Sequence, residues 1–390
     1  MPIYFDNAAT TRPYDEVVDV MADAMKRYYG NPSSLHSLGG QAHRLLQQAR
    51  QVAAQALGVD TREIIFTSGA TEANNTALRG VSRKLSNRGR HIIASTVEHP
   101  SVKDVLAELG EEGFEISFLP VDSSGVVSVE TLRKMLREET LLVSVMAVNN
   151  EVGARQPVEA IGHLLKEWPK TLFHVDAVQG FGKVDLRPKE WGIDLMSLSG
   201  HKFHGPKGVG LLYRRSGLPM APLLVGGGQE GGMRSGTENL HAIVGMARAM
   251  QLVLAENEGK LERLWRMKED LVSGLTRIPG VVINGSPLDR KRSVPHILNL
   301  SVPGVKPEVL VHALEARGLY VSTKSACSSK EEEASGILLA MGVPLGQAAA
   351  AIRLSLSFLN REGEVKQALA ILAEEIAHLQ ASLGGVSHAQ

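Results

Sequence analysis

The sequence predicts an α/β protein built on a mainly parallel sheet. Short apolar runs alternate along the chain with amphipathic stretches, which is the pattern of βαβ units. The runs are apolar almost throughout, as is typical of strands that are covered on both faces of a sheet. With 390 residues, of which 43% are hydrophobic, the chain can bury a large core. The candidate strands are Ile64–Thr67, His91–Ala94, Leu141–Met146, Leu172–Asp176, Leu195–Leu198 and Val209–Tyr213.

Between these strands, apolar residues recur at the spacing that predicts helices. Between Gln41 and Leu57, for example, apolar residues recur at the intervals of one helix face. After Gly226-Gly227-Gly228 the pattern changes, and one long helix is predicted from about Asn239 to Leu275. The rest of the chain predicts a smaller α/β unit, so we expect two domains with a boundary near residue 260. Its predicted elements are strands at 297–301 and 352–356 and helices at 308–317 and 362–383.

Composition excludes several classes of function. Lys+Arg and Asp+Glu both number 42, and aromatic residues make up only 4%, so neither a basic surface nor rows of base-stacking rings indicate nucleic-acid binding. No apolar run of about 18 residues predicts a membrane span, and the first residues do not resemble a signal peptide. One cysteine permits neither an internal disulfide nor a multi-thiolate metal site, and no metal is predicted. The cytoplasm is the expected compartment.

A strand, a glycine turn and a helix start follow one another between Phe66 and Asn75. The free N–H groups of a helix start, together with hydroxyl side chains, can bind an anion such as a phosphate. The alternative is an ordinary capped helix in which Thr71 is the N-cap residue. Neither a G-x-G-x-x-G nor a P-loop pattern is present, so a dinucleotide or P-loop site is not indicated.

Two further segments place charged side chains after strands. Asp176 ends a predicted parallel strand, where open α/β sheets bind ligands, and its carboxylate could hold a protonated pyridine nitrogen. A capping or ion-paired Asp is the alternative. The Gly-rich loop that follows Ser199 contains Lys202 and Lys207. A partly desolvated lysine can form a Schiff base, but chemistry alone does not choose between these two, and either could be an ordinary surface lysine.

Taken in order along nearly the whole chain, these segments resemble the cysteine desulfurases, the NifS/IscS-like members of the class V aminotransferase family. The resemblance implies a pyridoxal 5'-phosphate enzyme of fold type I with a mainly parallel seven-stranded sheet. It implies a large domain at 16–260, a small domain formed by 1–15 and 261–390, and a homodimer. The matching segments are 6–11, 30–34, 67–72, 98–99, 149–153, 176–179, 199–202, 226–230, 234–237, 325–327 and 352–355.

The resemblance also implies roles for individual residues. Lys202 would form the Schiff base with the cofactor, His99 would stack on its ring and transfer protons, and Cys327 would be the nucleophile. Arg353, together with Asn31, would bind the substrate carboxylate, a task suited to a guanidinium. Thr237 would reach the phosphate from the other subunit of the dimer. The residues implied to bind the cofactor are Ala70, Thr71, Asn150, Asp176, Gln179, Ser199, His201, Lys202 and Thr237.

Cys327 lies in a polar segment, so burial in an apolar core, the usual state of a free cysteine, is not expected. Lys324 and Lys330 would favour its thiolate, whereas the acidic run 331–333 opposes them. The thiolate has to reach both the cofactor and an acceptor, so we expect the loop at about 321–336 to move. The loop length up to Ala340-Met341-Gly342 resembles the branch of the family with the longer active-site loop. Two residues depart from the pattern of that branch: Lys324 stands where a glycine is common, and Ala334 where a proline is common.

The implied reaction converts L-cysteine to L-alanine and leaves a persulfide on Cys327. The sulfur would then pass to an acceptor protein, either an iron–sulfur scaffold or a tRNA- or cofactor-thiolating enzyme. Two alternatives stay open. The first is a selenocysteine lyase or another class V lyase or aminotransferase, and the second is a non-catalytic cofactor-binding scaffold.

Overall fold

A seven-stranded sheet lies at the centre of the computed structural model, which describes residues 2–255, 257–323 and 334–386. The described strands are β1 Ile3–Tyr4, β2 Ile64–Thr67, β3 His91–Ser95, β4 Glu115–Leu119, β5 Thr140–Ser144, β6 Leu172–Asp176, β7 Leu195–Ser199, β8 Gly210–Arg214, β9 Val282–Ile283, β10 Ile297–Ser301, β11 Leu319–Tyr320 and β12 Ala351–Ser355. The large sheet has the order β2-β8-β7-β6-β5-β3-β4. Only β8 runs antiparallel to its neighbours, so the mainly parallel seven-stranded sheet is confirmed.

Helices cover both faces of this sheet. The helices are α1 Asp15–Arg27, α2 Ser37–Leu57, α3 Ala70–Leu85, α4 Pro100–Glu111, α5 Val129–Met135, α6 Val158–Leu165, α7 Leu240–Leu254, α8 Asn257–Leu275, α9 Pro307–Ala316, α10 Gly336–Ala340, α11 Leu345–Ala348 and α12 Glu362–Val386. Alternate residues of β3 show the two covered faces, because Ile93 packs into one apolar core and Ile92 into another. This is why the strands read as continuous apolar runs.

The single long helix predicted from about Asn239 to Leu275 is wrong, because this stretch forms the separate helices α7 and α8. Helix α7 ends as Ala255 adopts an extended conformation. The Nζ of Lys260 then donates hydrogen bonds to the carbonyl oxygens of Leu252 and Ala255, at 2.8 and 2.6 Å. These bonds satisfy acceptors that a helix end leaves free. Nothing in the apolar spacing of the sequence marks this break.

Strand β4 was not predicted, because it is an edge strand with a mixed surface. Glu115 and Phe118 are exposed on it, and only Leu119 is buried. Such a strand lacks the continuous apolar run that marks the strands of the sheet interior.

Two smaller sheets come from the ends of the chain. Strands β12, β10 and β9 form an antiparallel sheet, and β1 pairs in parallel with β11. The predicted boundary near residue 260 falls within α8, and the division into two domains stays a prediction. Across the described ranges, no helix is both long enough and apolar enough to cross a membrane.

Candidate active site

A cavity of about 480 Å³ opens at the carboxyl ends of the parallel strands. The turns after β3, β5, β6 and β7 meet there because parallel strands end at the same edge of a sheet. The N-terminal segment around Ala8 closes one side. Ten of the residues implied by the family resemblance line this cavity: Ala70, Thr71, His99, Asn150, Asp176, Gln179, Ser199, His201, Lys202 and Arg353.

Three implied residues are not among those that line the cavity. Asn31 and Thr237 are exposed in the single chain, and the Oδ1 of Asn31 accepts a hydrogen bond from the backbone N–H of Ser33 at 2.9 Å. Cys327 lies outside the described residues, as does most of the predicted loop at 321–336. The assignments of all three stay predictions.

One end of the cavity is the turn from β2 into α3. The N-cap residue of α3 is Gly69, which offers no side chain, so the alternative of Thr71 as the cap is wrong. Thr71 instead lies in the first turn and lines the cavity. A Cβ at Gly210 would come within 2.7 Å of the Gly69 Cα, so glycine permits the close approach of β8 to this turn. The turn therefore offers backbone N–H groups and a hydroxyl to an anion.

Lys202 follows β7 and is half-buried, whereas Lys207, the other candidate, is exposed at the cavity. The Nζ of Lys202 donates hydrogen bonds to the carbonyl oxygens of Ala8 and Ala9, at 2.7 and 2.9 Å. Gln179 Nε2 donates to the same Ala8 oxygen at 2.9 Å. These contacts hold the amine of Lys202 inside the cavity, and they favour Lys202 over Lys207 as the reactive lysine.

Asp176 ends β6 and is buried at the floor of the cavity. Its Oδ2 accepts a hydrogen bond from Asn74 Nδ2 at 2.8 Å, and its Oδ1 accepts one from the backbone N–H of Val178 at 3.0 Å. Both donors are neutral, so they orient the carboxylate without cancelling its charge. Asp176 can therefore hold a positively charged group in the cavity.

His99 is the N-cap residue of α4 and lines the cavity from the side of β3. Its Nδ1 accepts a hydrogen bond from the backbone N–H of Ser101 at 3.1 Å and lies 2.8 Å from Ser101 Oγ. Burial lowers the pKa of His99 because it disfavours the charged imidazole, although the carboxylate of Asp176 acts in the opposite direction. The ring is therefore neutral at neutral pH.

Arg353 on β12 is 1% exposed and forms the far wall of the cavity. Its Nη1 donates to the backbone oxygen of Asn150 at 2.8 Å, and its Nη2 donates to Asp6 Oδ1 at 2.9 Å. Burial raises the pKa of Asp6, and the nearby guanidinium opposes this shift. The two contacts fix the plane of a cation that is suited to binding a carboxylate.

His201 lies beside Lys202, and its Nδ1 is 3.2 Å from Thr10 Oγ1. Burial lowers the pKa of His201 to about 4, and the nearby Lys202 and Lys207 add to the shift. A neutral His201 can donate or accept a hydrogen bond at the same end of the cavity as Ser199. This end is therefore lined by neutral polar groups as well as by the start of α3.

Sequence reasoning missed several residues that shape the cavity. Asn74 and Ser101 contact Asp176 and His99, yet nothing in their local sequence marks either as a contact. Asp6 and the carbonyl groups of Ala8 and Ala9 belong to a segment that carries the family resemblance, but their partners are distant in sequence. Only the fold reveals these contacts.

Comparison with known proteins agrees with this geometry. The family model for Aminotransferase class-V matches residues 3–368. A cysteine desulfurase IscS of Methanosarcina thermophila is 42% identical over 378 residues, covering 97% of this chain and 93% of that protein. A solved NifS-like protein has 42% identity and a TM-score of 0.91, covering 97% of this chain and all of that one. The structure of SspA in complex with cysteine has 32% identity and a TM-score of 0.79, covering 91% of this chain and 98% of that one.

The fold is that of the class V aminotransferases. Because the family model spans most of the chain and the relatives match over nearly their full lengths, the chain belongs to the class V aminotransferase family.

Proposed function

We propose that this protein is a pyridoxal-phosphate-dependent cysteine desulfurase that converts L-cysteine to L-alanine and passes the sulfur to an acceptor. One observation carries the proposal: a single cavity joins Lys202, Asp176, His99 and the start of α3. The archaeal relative named as a cysteine desulfurase matches over nearly its full length, and the structure of SspA was solved with cysteine. Both support L-cysteine as the substrate.

The cavity fits pyridoxal phosphate. Among the described residues, the Oδ1 atom of Asn150 is buried without a hydrogen-bond partner, and this residue lines the cavity. Such an orphaned acceptor is costly unless a ligand or water satisfies it. The start of α3 would hold the phosphate, with Ser199 and His201 beside it, and Asp176 would hold the ring nitrogen. When bound, the cofactor supplies an electron sink that makes the bonds at the substrate α-carbon labile.

The chain's own residues account for the rest of the chemistry. Lys202 would bind the cofactor covalently and then move the proton of the substrate α-carbon through its Nζ. Arg353 would bind the substrate carboxylate, with Asn31 as its predicted helper, and Gln179 would hydrogen-bond the cofactor ring oxygen. These assignments are predictions, and the shared lining of one cavity supports those of Lys202, Arg353 and Gln179.

Cys327 is proposed to take the sulfur as a persulfide. Support comes from the chain that follows it, because Ser335 Oγ donates a hydrogen bond to Glu151 Oε2 at 2.6 Å. Glu151 is the neighbour of Asn150, which lines the cavity. Ser335 is therefore anchored to the sequence neighbour of a residue that lines the cavity.

A homodimer is the proposed assembly, with Thr237 of one subunit completing the phosphate site of the other. Large apolar side chains stand exposed in the same stretches of the sequence as Asn31 and Thr237, among them Leu35 and Val225. Exposed apolar side chains are typical of protein interfaces where they form a contiguous patch. A second copy covering them would bring Thr237 and Asn31 out of solvent.

The identity of the acceptor is also a proposal. An iron–sulfur scaffold or a tRNA- or cofactor-thiolating enzyme would take the persulfide sulfur from Cys327. The cytoplasm stays the predicted compartment for this transfer.

The proposal is tested by incubating the full-length holoenzyme with L-cysteine and a thiol reductant. Alanine and sulfide should form in equal amounts, and Cys327→Ser should abolish both products while leaving the bound cofactor in place. Alanine without sulfide, or full activity in Cys327→Ser, would contradict the proposal. Selenide release from selenocysteine by Cys327→Ser, with no sulfide from cysteine, would assign a selenocysteine lyase activity to the same site.

A further inference from the structure

Two buried side chains connect the proposed partner of the cofactor ring nitrogen with the imidazole of His99, which lines the cavity. Asn74 lies on α3 and Ser101 lies in the first turn of α4. Asn74 Nδ2 is 2.8 Å from Asp176 Oδ2 and 2.9 Å from Ser101 Oγ. Ser101 Oγ is in turn 2.8 Å from His99 Nδ1. The four side chains therefore form one continuous chain of hydrogen bonds.

The direction of each of these hydrogen bonds follows from which groups can donate. The Asn74 amide must turn its NH₂ group toward Asp176, since the opposite orientation would place its oxygen against a carboxylate. One amide hydrogen then goes to Asp176 and the other to Ser101 Oγ. Ser101 Oγ accepts from Asn74, so its own hydrogen is available for His99 Nδ1.

The backbone gives independent support for this direction. The N–H of Ser101 donates to His99 Nδ1 at 3.1 Å, and a backbone amide can only donate. Nδ1 of His99 is therefore an acceptor that has no proton. In the neutral imidazole the proton then lies on Nε2, the ring nitrogen that does not face Ser101.

We propose that Asn74 and Ser101 are positioning residues that tie the imidazole of His99 to the carboxylate of Asp176 and hold His99 in the tautomer protonated at Nε2. This inference deepens the proposed function, on which it rests for the roles of His99 and Asp176. Both positioning residues act through other side chains. Asn74 is not among the residues that line the cavity, and Ser101, which is among them, has its Oγ engaged by Asn74 and His99.

The tautomer assigns the proton transfers. An imidazole with a proton on Nε2 donates a hydrogen bond from that atom and cannot take up a proton there. Its lone pair on Nδ1 is already engaged by Ser101 through two contacts. The substrate α-proton must therefore pass to the Nζ of Lys202, while His99 donates a hydrogen bond into the cavity.

The first measurement is the nitrogen NMR spectrum of the full-length holoenzyme labelled with ¹⁵N-histidine, in which the His99 signals are those lost in His99→Gln. The wild type should show an acceptor shift at Nδ1 and a protonated shift at Nε2. In Ser101→Ala one of two hydrogen bonds to Nδ1 is lost, so the Nδ1-protonated fraction should rise about fivefold. A wild-type His99 protonated at Nδ1 would overturn the proposal.

The second measurement is steady-state alanine formation. Ser101→Ala and Asn74→Leu should lower kcat by about tenfold, while KM for L-cysteine stays within about twofold because Arg353 is untouched. Thr76→Val is the matched control, since Thr76 lies on α3, is 1% exposed, and its hydroxyl has no partner among the described residues. An equal loss of kcat in Thr76→Val, or an unchanged kcat and tautomer in Ser101→Ala, would overturn the proposal.

The NMR result does not depend on the reaction. If the Nδ1-protonated fraction rises in Ser101→Ala but no variant forms alanine from cysteine, the positioning role stands and the proposed desulfurase activity is lost. If alanine forms normally in every variant and the tautomer is unchanged, the desulfurase activity stands and the positioning role is lost.

Discussion

The cavity has two sides that are built in different ways. On the side of the large sheet, Asp176 ends its strand, and His99 and Lys202 lie in the turns that follow theirs. Each strand fixes where its turn begins. On the opposite side, Asp6 and Arg353 meet although 347 positions separate them along the chain. The first side depends on the geometry of one sheet, whereas the second exists only when both ends of the chain come together. Damage to the first should affect chemistry, and damage to the second should affect stability and substrate binding.

The largest expected effect is on the sheet side. Lys202→Ala removes the proposed covalent and proton-transfer group, so alanine formation should fall by roughly 10⁴-fold, the upper range for an acid–base group. The free energy of unfolding should change little, because the carbonyl oxygens of Ala8 and Ala9 can bind water instead. Steady-state assays and urea unfolding check the two expectations.

Lys207→Ala is the matched comparison, because Lys207 is the other lysine that lines the cavity. Its loss of activity should be at least about 100-fold smaller than that of Lys202→Ala. Equal losses in the two variants would show that the contacts of Lys202 with the N-terminal segment do not select the reactive lysine.

The second largest expected effect is on the side of the cavity where the two ends of the chain meet. Arg353→Ala leaves the partly buried carboxylate of Asp6 without its cation, so the free energy of unfolding should fall by about 3 kcal/mol. KM for L-cysteine should rise as well, because the proposed carboxylate site is lost. Urea unfolding and steady-state kinetics measure the two quantities.

Asp6→Asn in the Arg353→Ala background is the control for that variant. It removes the unpaired charge, so it should recover much of the lost stability without restoring KM. Recovery of KM in the double variant would contradict the assignment of Arg353 to substrate binding.

The smallest effect concerns Glu98, a buried carboxyl beside His99. Its Oε1 accepts hydrogen bonds from the backbone N–H of Met146 and from Ser95 Oγ, and burial raises its pKa to about 8. The pKa of Glu98 is 4.5 in the unfolded state and about 8 in the folded state. At a pH between these two values, the folded state keeps a proton that the unfolded state has lost. This contribution to stability is present below pH 4.5 and is lost as the pH rises through that window.

Glu98→Gln removes this titration, so the variant should lose less stability than the wild type between about pH 5 and about pH 9. Urea unfolding across that range measures the difference. The same pH series on Glu108→Gln, which changes an exposed carboxyl, is the control. Parallel curves for the wild type and Glu98→Gln would refute the buried-proton explanation.

Much of the sheet side could be predicted from the sequence, because apolar runs mark the interior strands and polar residues follow them. Residue types and their places at strand ends were enough to find three features: the turn from β2 into α3, Asp176, and the loop of Lys202 and Lys207. The resemblance supplied the roles, and the cavity brings together the residues to which most of them were given.

The contacts that no prediction included depend on packing between elements. Asn74 reaches Ser101 because α3 packs against α4, and a single sequence does not state which helices are neighbours. The N-cap of α3 was misplaced because Gly69 caps through its backbone, while Thr71 has the side chain that usually does so.

The single antiparallel strand of the large sheet fixes the distance between its two neighbours. Strand β8 lies between β2 and β7 and pairs with both through backbone ladders. Neighbouring strands are about 4.8 Å apart, so the ends of β2 and β7 are held at roughly 10 Å. The start of α3 follows one end and Lys202 follows the other. Because these strand ends are held by the two ladders of β8, the start of α3 and the backbone of the proposed reactive lysine cannot move apart without breaking sheet hydrogen bonds.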